Sequence, residues 1–279
     1  MTTIIELLTD ARSSLKGQEA TLEAEYLMEA VCGISRGYQY IHPDEELPEK
    51  QCQKFDSVLK RRIAGEPLAY ITGTRGFWDM DLQVTPDVLI PRPDTECLVE
   101  QALQRIPIDS RWKFADLGTG CGAIAIALAR ERPQCEITAT DLSRAALAIA
   151  RKNARLQGAN NICFAAGSWF QPIKNRLFEM IVCNPPYIPA DDPHLKQSDL
   201  PAEPECALIS GVDGLDAIRR ITSDSAPYLK PGGFLLLEHG FDQAIVVTEL
   251  LQSEGFKEIF TEKDYGGNDR VTGGRLLKA

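Results

Sequence analysis

Long apolar runs are absent from this chain. Nowhere do 18 apolar residues stand together, and Met1-Thr2-Thr3-Ile4-Ile5-Glu6 has no basic stretch leading into an apolar one. Neither a membrane span nor an export signal is expected, and the chain is assigned to the cytoplasm. The eight cysteines include no Cys-x-x-Cys and no paired short spacing, and several lie inside apolar runs. A disulfide framework and a zinc site therefore lose support, and buried free thiols in a reducing compartment are expected, with no metal. Basic charge is scarce: 30 Lys and Arg against 40 Asp and Glu leave a net charge of −10, with an isoelectric point near 4.9. That balance argues against a broad footprint on a phosphate backbone, so no direct nucleic-acid partner is expected. The local cluster Lys60-Arg61-Arg62 reads as a solvated helix end. The three histidines, His42, His194 and His239, have no serine or cysteine in a nucleophile signature beside them. A hydrolase triad is unsupported, and each histidine reads as a surface or edge residue. Repeats and low-complexity tracts are missing too.

What remains is an ordinary globular composition, 44% hydrophobic and 25% charged over 279 residues, long enough for about two domains. Ile4, Leu7, Leu8, Ala11 and Leu15 fall at helical spacing, and so do Leu22, Tyr26, Leu27, Ala30 and Val31. Cys52, Phe55, Leu59 and Ile63 form a third stripe, ended by Gly65-Glu66-Pro67. Residues 1–67 are thus expected to form a helical N-terminal domain, either a substrate-docking module or a cap. From Tyr70 to Val84 the period shortens to two, which predicts a β-hairpin linker over 68–92. Leu89 to Glu96 follows, where two prolines stiffen an extended approach and Asp94 or Thr95 is placed to cap the helix running to Arg105.

Residues 93–279 alternate strands with helices. Strands are expected at Lys113 to Leu117, Glu136 to Asp141, Ile162 to Ala166, Phe178 to Cys183, Phe234 to Glu238, Lys257 to Thr261 and Arg270 to Leu277, with helices from Ala123, Ser143, Asp213 and Gln243. The pattern implies an α/β fold with a doubly wound, mainly parallel seven-stranded sheet and an antiparallel edge. Gly118-Thr119-Gly120-Cys121-Gly122, between a strand and a helix, reads as a loop that lets a ligand approach the backbone. Asp141, about 20 residues on, ends the next strand, where an acid can accept both hydroxyls of a ribose. The spacing alone suits a nicotinamide cofactor as well as S-adenosylmethionine. Trp169 is placed either against an adenine ring or in the core.

Phe178 to Cys183 reads as a buried strand stopped by Asn184-Pro185-Pro186-Tyr187 at the carboxyl edge of the sheet, where such sheets bind ligands. The plain alternative is a stiff turn. The chemical reading is an NH2 grip. Asn184 offers a side-chain oxygen, Pro185 a carbonyl without a competing N–H, and Tyr187 a flat apolar face, so both protons of one amide can be held and its lone pair aimed. The proline-punctuated stretch 191–210 is long enough to be a substrate loop.

Taken together, Asp116 to Gly122, Asp141 and Asn184 to Tyr187 resemble a class I S-adenosylmethionine-dependent methyltransferase of the amino-methylating kind. Gly65 to Gly73, Leu89 to Glu96 and Glu203-Pro204 through Gly214-Leu215 narrow the resemblance to the HemK-type peptide chain release factor glutamine methyltransferases, over nearly the whole length. The resemblance implies a Rossmann-like fold and methyl transfer to the N5 amide nitrogen of the glutamine in the Gly-Gly-Gln motif of bacterial class 1 release factors, yielding S-adenosylhomocysteine. It implies that Gly118, Thr119, Gly120, Cys121, Gly122, Asp141, Trp169 and Asn184 hold the cofactor. Asn184, Pro185, Pro186 and Tyr187, together with Arg92 and Glu96, would meet the substrate, and Asn184, Pro185 and Tyr187 would do the catalytic work. A monomer is expected. The rival targets are a ribosomal protein glutamine and an adenine N6 in nucleic acid; a third possibility is a catalytically silent binding module.

Overall fold

In the computed structural model, which describes residues 2–15, 17 and 19–277, the chain divides into two compact units, Met1–Thr74 and Arg75–Ala279. The first unit starts with β1 (Thr2–Thr3) and α1 (Ile4–Ser14). Thr3 accepts from the Glu6 N–H while the Glu6 carboxylate accepts from the Thr3 N–H, so two otherwise unpaired donors are satisfied reciprocally. Then come α2 (Ala20–Cys32), α3 (Arg36–Ile41), β2 (Glu46–Leu47), α4 (Glu49–Ile63) and α5 (Leu68–Thr72). The short strands β1 and β2 pair antiparallel. Ile4, Leu8, Leu27, Met28 and Phe55 fill this unit's core.

Two features depart from the sequence reading. The helix α3 was not expected, because six residues are too few to show a period. Tyr70 to Thr72, expected as strand, belongs to α5. Pro67 begins that turn with its carbonyl accepting from Tyr70, and Gly73, at φ 77°, ends it; four alternating residues fit one helical turn as well as a strand. The basic trio is neutralised within the unit, with Lys60 on Asp56 at 2.6 Å, Arg61 on Glu66 and Arg62 on Glu23 at 2.9 Å.

The second unit carries the hairpin β3 (Thr74–Phe77) and β4 (Met80–Gln83), then a 3-10 turn, Pro93–Thr95, and α6 (Glu96–Arg105). The alternating part follows: β5 (Lys113–Leu117), α7 (Ala123–Glu131), β6 (Glu136–Asp141), α8 (Arg144–Leu156), β7 (Ile162–Ala166) and β8 (Phe178–Cys183). After a long connection come α9 (Asp216–Ser225), β9 (Leu229–Glu238), α10 (Ala244–Ser253), β10 (Lys257–Lys263) and β11 (Asp269–Leu276). The sheet order is β10-β11-β9-β8-β5-β6-β7, parallel from β9 to β7, with β11 antiparallel to both its neighbours. It is the seven-stranded, mainly parallel sheet with an antiparallel edge that the alternation implied. The order turns back at the β5/β8 pair, which is where a ligand crevice opens in a doubly wound sheet.

Both faces are covered, so β8 is apolar without alternation: Met180, Ile181, Val182 and Cys183 have no exposed surface. Two element boundaries and the setting of one histidine differ from expectation. β9 runs through Pro231-Gly232-Gly233, expected as a turn, and its register on β8 jumps between the Phe178–Leu229 and Met180–Phe234 pairs, which takes up the extra residues as a bulge. α9 starts at Asp216 rather than Asp213, because Gly214 holds φ 77°. His239 is fully buried, bridging the Gly240 carbonyl and Thr272 Oγ1 at 2.8 Å each, whereas a surface or edge position was expected; burial depresses its pKa. Among the cysteines, Cys97, Cys121, Cys135 and Cys183 are buried, while Cys163 and Cys206 are exposed. No helix among the described residues is long and apolar enough to cross a membrane.

Candidate active site

At the carboxyl ends of β5, β6 and β8 lies a cavity of about 420 Å³, walled by Gly118, Gly120, Asp141, Trp169, Asn184 and Pro186 and, from the long connection, by Pro204 and Ala207. The glycine loop divides its work. Gly118 (φ 71°) and Gly120 (φ 55°) face the cavity. A methyl on Gly118 would sit 3.4 Å from the Trp169 ring, so that ring lies across bare backbone. Gly122 serves packing instead: at φ 92°, a Cβ there would stand 2.9 Å from Ile126 and 3.2 Å from Ala150, on the two helices that close behind the loop. Thr119 and Cys121 turn inward. The Thr119 hydroxyl donates to Asp116 Oδ2 at 2.5 Å, and the Cys121 carbonyl accepts from Asn153 Nδ2 at 2.9 Å.

Asp141 is held by its own surroundings. Oδ2 accepts from the Gly120 N–H at 2.9 Å and Oδ1 from the Ser143 N–H at 2.8 Å. Each carboxylate oxygen keeps a lone pair, so a vicinal diol at the cavity wall can donate to both. Asp116, beneath the loop, is almost wholly buried with Oδ1 unpartnered. Burial, reinforced by the Asp141 charge, pushes its pKa up to about 7. A nucleoside-sized ligand fits this wall: bare glycine backbone, an oriented acid and a half-buried indole together give backbone approach, diol recognition and a stacking face.

At the β8 end, Asn184 lines the cavity and its Nδ2 donates to Thr95 Oγ1 at 3.1 Å. The amide's donor side is thereby occupied. Among the described residues, neither Asn184 Oδ1 nor the Pro185 carbonyl accepts a hydrogen bond from the protein. Pro185 is buried and Pro186 reaches the cavity. Tyr187 is half-buried against the core, its hydroxyl donating to Glu238 Oε1 at 3.3 Å and its carbonyl accepting from Gln243 Nε2 at 3.0 Å. A Cβ on Gly214 would come within 2.2 Å of that carbonyl, so glycine is required there for the connection to lie against the corner.

The family model described as PrmC N-terminal domain matches residues 6–73, and the one described as Methyltransferase small domain matches residues 94–197. The chain is 46% identical over 272 residues to the release factor glutamine methyltransferase of Escherichia coli (strain K12), covering 97% of this chain and 98% of that protein. It is 45% identical over 271 residues to the one from Xylella fastidiosa (strain 9a5c), covering 97% of each. The chain belongs to the release factor glutamine methyltransferase family. Among solved structures, a Thermus thermophilus 16S rRNA N2 G1207 methyltransferase in complex with AdoMet and guanosine shares the fold. Its TM-score is 0.55 at 18% identity, covering 72% of this chain and 49% of that one.

For this member of the glutamine methyltransferase family, the structure gathers Gly118, Gly120, Asp141, Trp169, Asn184 and Pro186 at one cavity, with Pro185 and Tyr187 in the adjoining corner. It places Arg92 and Glu96 elsewhere. Arg92 forms an ion pair with the buried Glu203 carboxylate, which also accepts from the Ile90 N–H at 3.1 Å. That pair fastens the long connection carrying Pro204 and Ala207. Glu96 accepts from the Trp78 N–H at 2.8 Å, in the hairpin turn. Residues to which the sequence reading gave no part in the site also support it. Thr95, expected as a possible helix cap, makes no capping bond and receives Asn184 instead. Asn153, fully buried, accepts from Gln83 N at 2.8 Å and donates to the Gln83 and Cys121 carbonyls, tying hairpin and glycine loop to α8. An unexplained polar residue within the apolar stripe of a helix was the available signal.

Proposed function

We propose that this chain transfers a methyl group from S-adenosylmethionine to the N5 amide nitrogen of the glutamine in the Gly-Gly-Gln motif of class 1 peptide chain release factors. The observation that carries this reading is the corner after β8, where Thr95 occupies the Asn184 donor and two consecutive acceptors, Asn184 Oδ1 and the Pro185 carbonyl, are unspent beside the cavity. A primary carboxamide has two N–H donors to match them. Gripped so, its lone pair is fixed in direction, and orientation supplies what a weakly nucleophilic amide lacks.

When bound, S-adenosylmethionine supplies an electrophilic sulfonium methyl and departs as S-adenosylhomocysteine. Gly118 and Gly120 offer it bare backbone, Asp141 accepts from its ribose hydroxyls, and Trp169 borders its base. Pro186 and, from the long connection, Pro204 and Ala207 wall the cavity beside the corner. The amide proton leaves to water after the new C–N bond has formed, so no strong base is required. The Met1–Thr74 unit is the proposed docking module for the release factor.

The test is transfer of labelled methyl to three substrates in parallel: a release factor, the same factor with the Gly-Gly-Gln glutamine changed to alanine, and duplex DNA. Label on the first alone, with a mass gain of one methylene on the glutamine peptide, is the expected result. Label on the alanine variant or on DNA overturns the reading.

A further inference from the structure

Gln243 is buried, 7% exposed, at the N-cap of α10, yet its side chain makes no capping bond there. A polar N-cap side chain ordinarily turns back onto the first N–H groups of its own helix. This one reaches outward. Its Nε2 donates to the Tyr187 carbonyl at 3.0 Å and to the Asp213 carbonyl at 3.5 Å, and its Oε1 accepts from the Gly240 N–H at 2.8 Å. Both amide protons and the amide oxygen are engaged, each by the backbone of a different segment: the corner after β8, the end of the long connection and the turn after β9. The partners fix which way round the amide lies, because carbonyls only accept and a backbone N–H only donates. Packing around the head group is close. A Cβ on Gly214 would stand 2.8 Å from Nε2, and one on Gly240 would stand 3.1 Å from Oε1.

We infer that Gln243 is a positioning residue for the amide grip, holding Pro185-Pro186-Tyr187 from behind so that the Pro185 carbonyl keeps its aim; the inference rests on the reaction proposed above. Pro185 and Pro186 have no N–H to give, so the corner cannot be pinned as a strand would be. Upstream, Asn184 is held by its side chain on Thr95 at 3.1 Å. Downstream, the Ile188 N–H meets the Leu208 carbonyl at 2.9 Å and the Ile188 carbonyl meets the Ser210 N–H at 3.0 Å. Each proline fixes its own φ and leaves ψ to be set, so the direction of the Pro185 carbonyl follows the peptide planes after it. Gripping the Tyr187 carbonyl sets those planes and leaves the Pro185 acceptor free for substrate. The chemistry of position 243 is specific to this task. A carboxamide carries two donors and an acceptor on one flat head; a carboxylate has no proton for either carbonyl, and an apolar head has nothing for any of the three partners.

The test compares the full-length wild type with Gln243→Glu and Gln243→Met, both close to glutamine in length. Methylation of the release factor is followed as kcat per S-adenosylhomocysteine-binding site, so that unfolded protein is not counted. Gln243→Glu keeps the acceptor for the Gly240 N–H and loses both donors, whereas Gln243→Met loses all three bonds. In both, kcat should fall by about 10- to 100-fold, the scale of a reacting group displaced by an ångström. KM for the release factor and affinity for S-adenosylhomocysteine should stay within about twofold, because Gln243 is not among the residues lining the cavity. Wild-type kcat in Gln243→Glu would show that the side chain serves only the Gly240 turn, and would overturn the inference. Should that variant not fold, Gln243→Met is read by the same criterion. A second readout needs no substrate: the Asn184 side-chain NH2 pair in a 1H–15N spectrum, identified by its loss in Asn184→Ala. It should shift in Gln243→Met, since Asn184 begins the corner that Gln243 holds at its far end, and an unmoved pair would overturn the inference. Absence of release factor methylation by the wild type would refute the proposed function, and the Asn184 pair would then decide the role of Gln243 by itself.

Discussion

Asp141 has little freedom, because both its oxygens are already held by backbone N–H groups of the loops on either side. On the proposed reading it is preorganised for a diol, and Asp141→Ala should weaken S-adenosylhomocysteine binding by roughly 10- to 100-fold, the worth of one or two charge-assisted hydrogen bonds. Calorimetric titration measures this, and unchanged affinity would remove the assignment. Asp116 makes a prediction about pH. In the folded chain it keeps its proton up to about 7, while an unperturbed aspartate releases it near 3.8. Between those values the folded state binds more protons than the unfolded state, so stability falls as pH rises through this window and levels off above it. The whole interval is worth on the order of 4 kcal/mol at about 1.4 per unit, and Glu238 adds a term of the same sign. Thermal unfolding of Asp116→Asn should therefore show a smaller loss of Tm between pH 5 and 8 than the wild type; an equal loss would contradict the assignment. At this scale the sequence was most legible where a residue's task is local. Asp141 at a strand end and Asn184 before two prolines announce themselves by spacing. Thr95 does not, since its partner Asn184, 89 residues away in the sequence, reaches it only through the fold.

Elements show the same division. Strands β5, β6, β7 and β8 coincide with the expected ones because each is an apolar run closed by glycine, aspartate or proline. The helix α5 and the bulged β9 were misjudged where a short alternation or a Pro-Gly-Gly sequence permits more than one backbone and packing chooses. The 191–210 connection was visible as a long loop, but not its anchorage. Ile188 bridges Ile209 in parallel, the Ile188 N–H reaches the Leu208 carbonyl at 2.9 Å, and Glu203 is buried under Arg92. Arg92→Ala leaves the buried Glu203 carboxylate without its cation; with Arg92 itself partly exposed, the loss is expected below the roughly 3–5 kcal/mol of a fully buried pair. The 191–210 segment should then be cut faster in limited proteolysis, and cofactor affinity should fall with it, because Pro204 and Ala207 line the cavity. Proteolysis at the wild-type rate would show that the pair does not hold the segment.

For the molecule as a whole, the charge balance is acidic, and Lys60, Arg61 and Arg62 each meet a carboxylate of their own unit. The fold supplies the rest: a switch point in a parallel sheet that sets a glycine loop beside a donor-poor corner, with buried polar residues fixing the corner's direction. The most direct test is Asn184→Ala, with single-turnover methylation of a release factor and S-adenosylhomocysteine affinity measured on the same preparation. Turnover should fall by about 100-fold or more, as for loss of an oriented polar contact to a reacting group, while affinity stays within about twofold, a change of less than 0.5 kcal/mol. Turnover near the wild-type rate, or a loss wholly explained by weakened cofactor binding, would contradict the claim that this corner aims the amide.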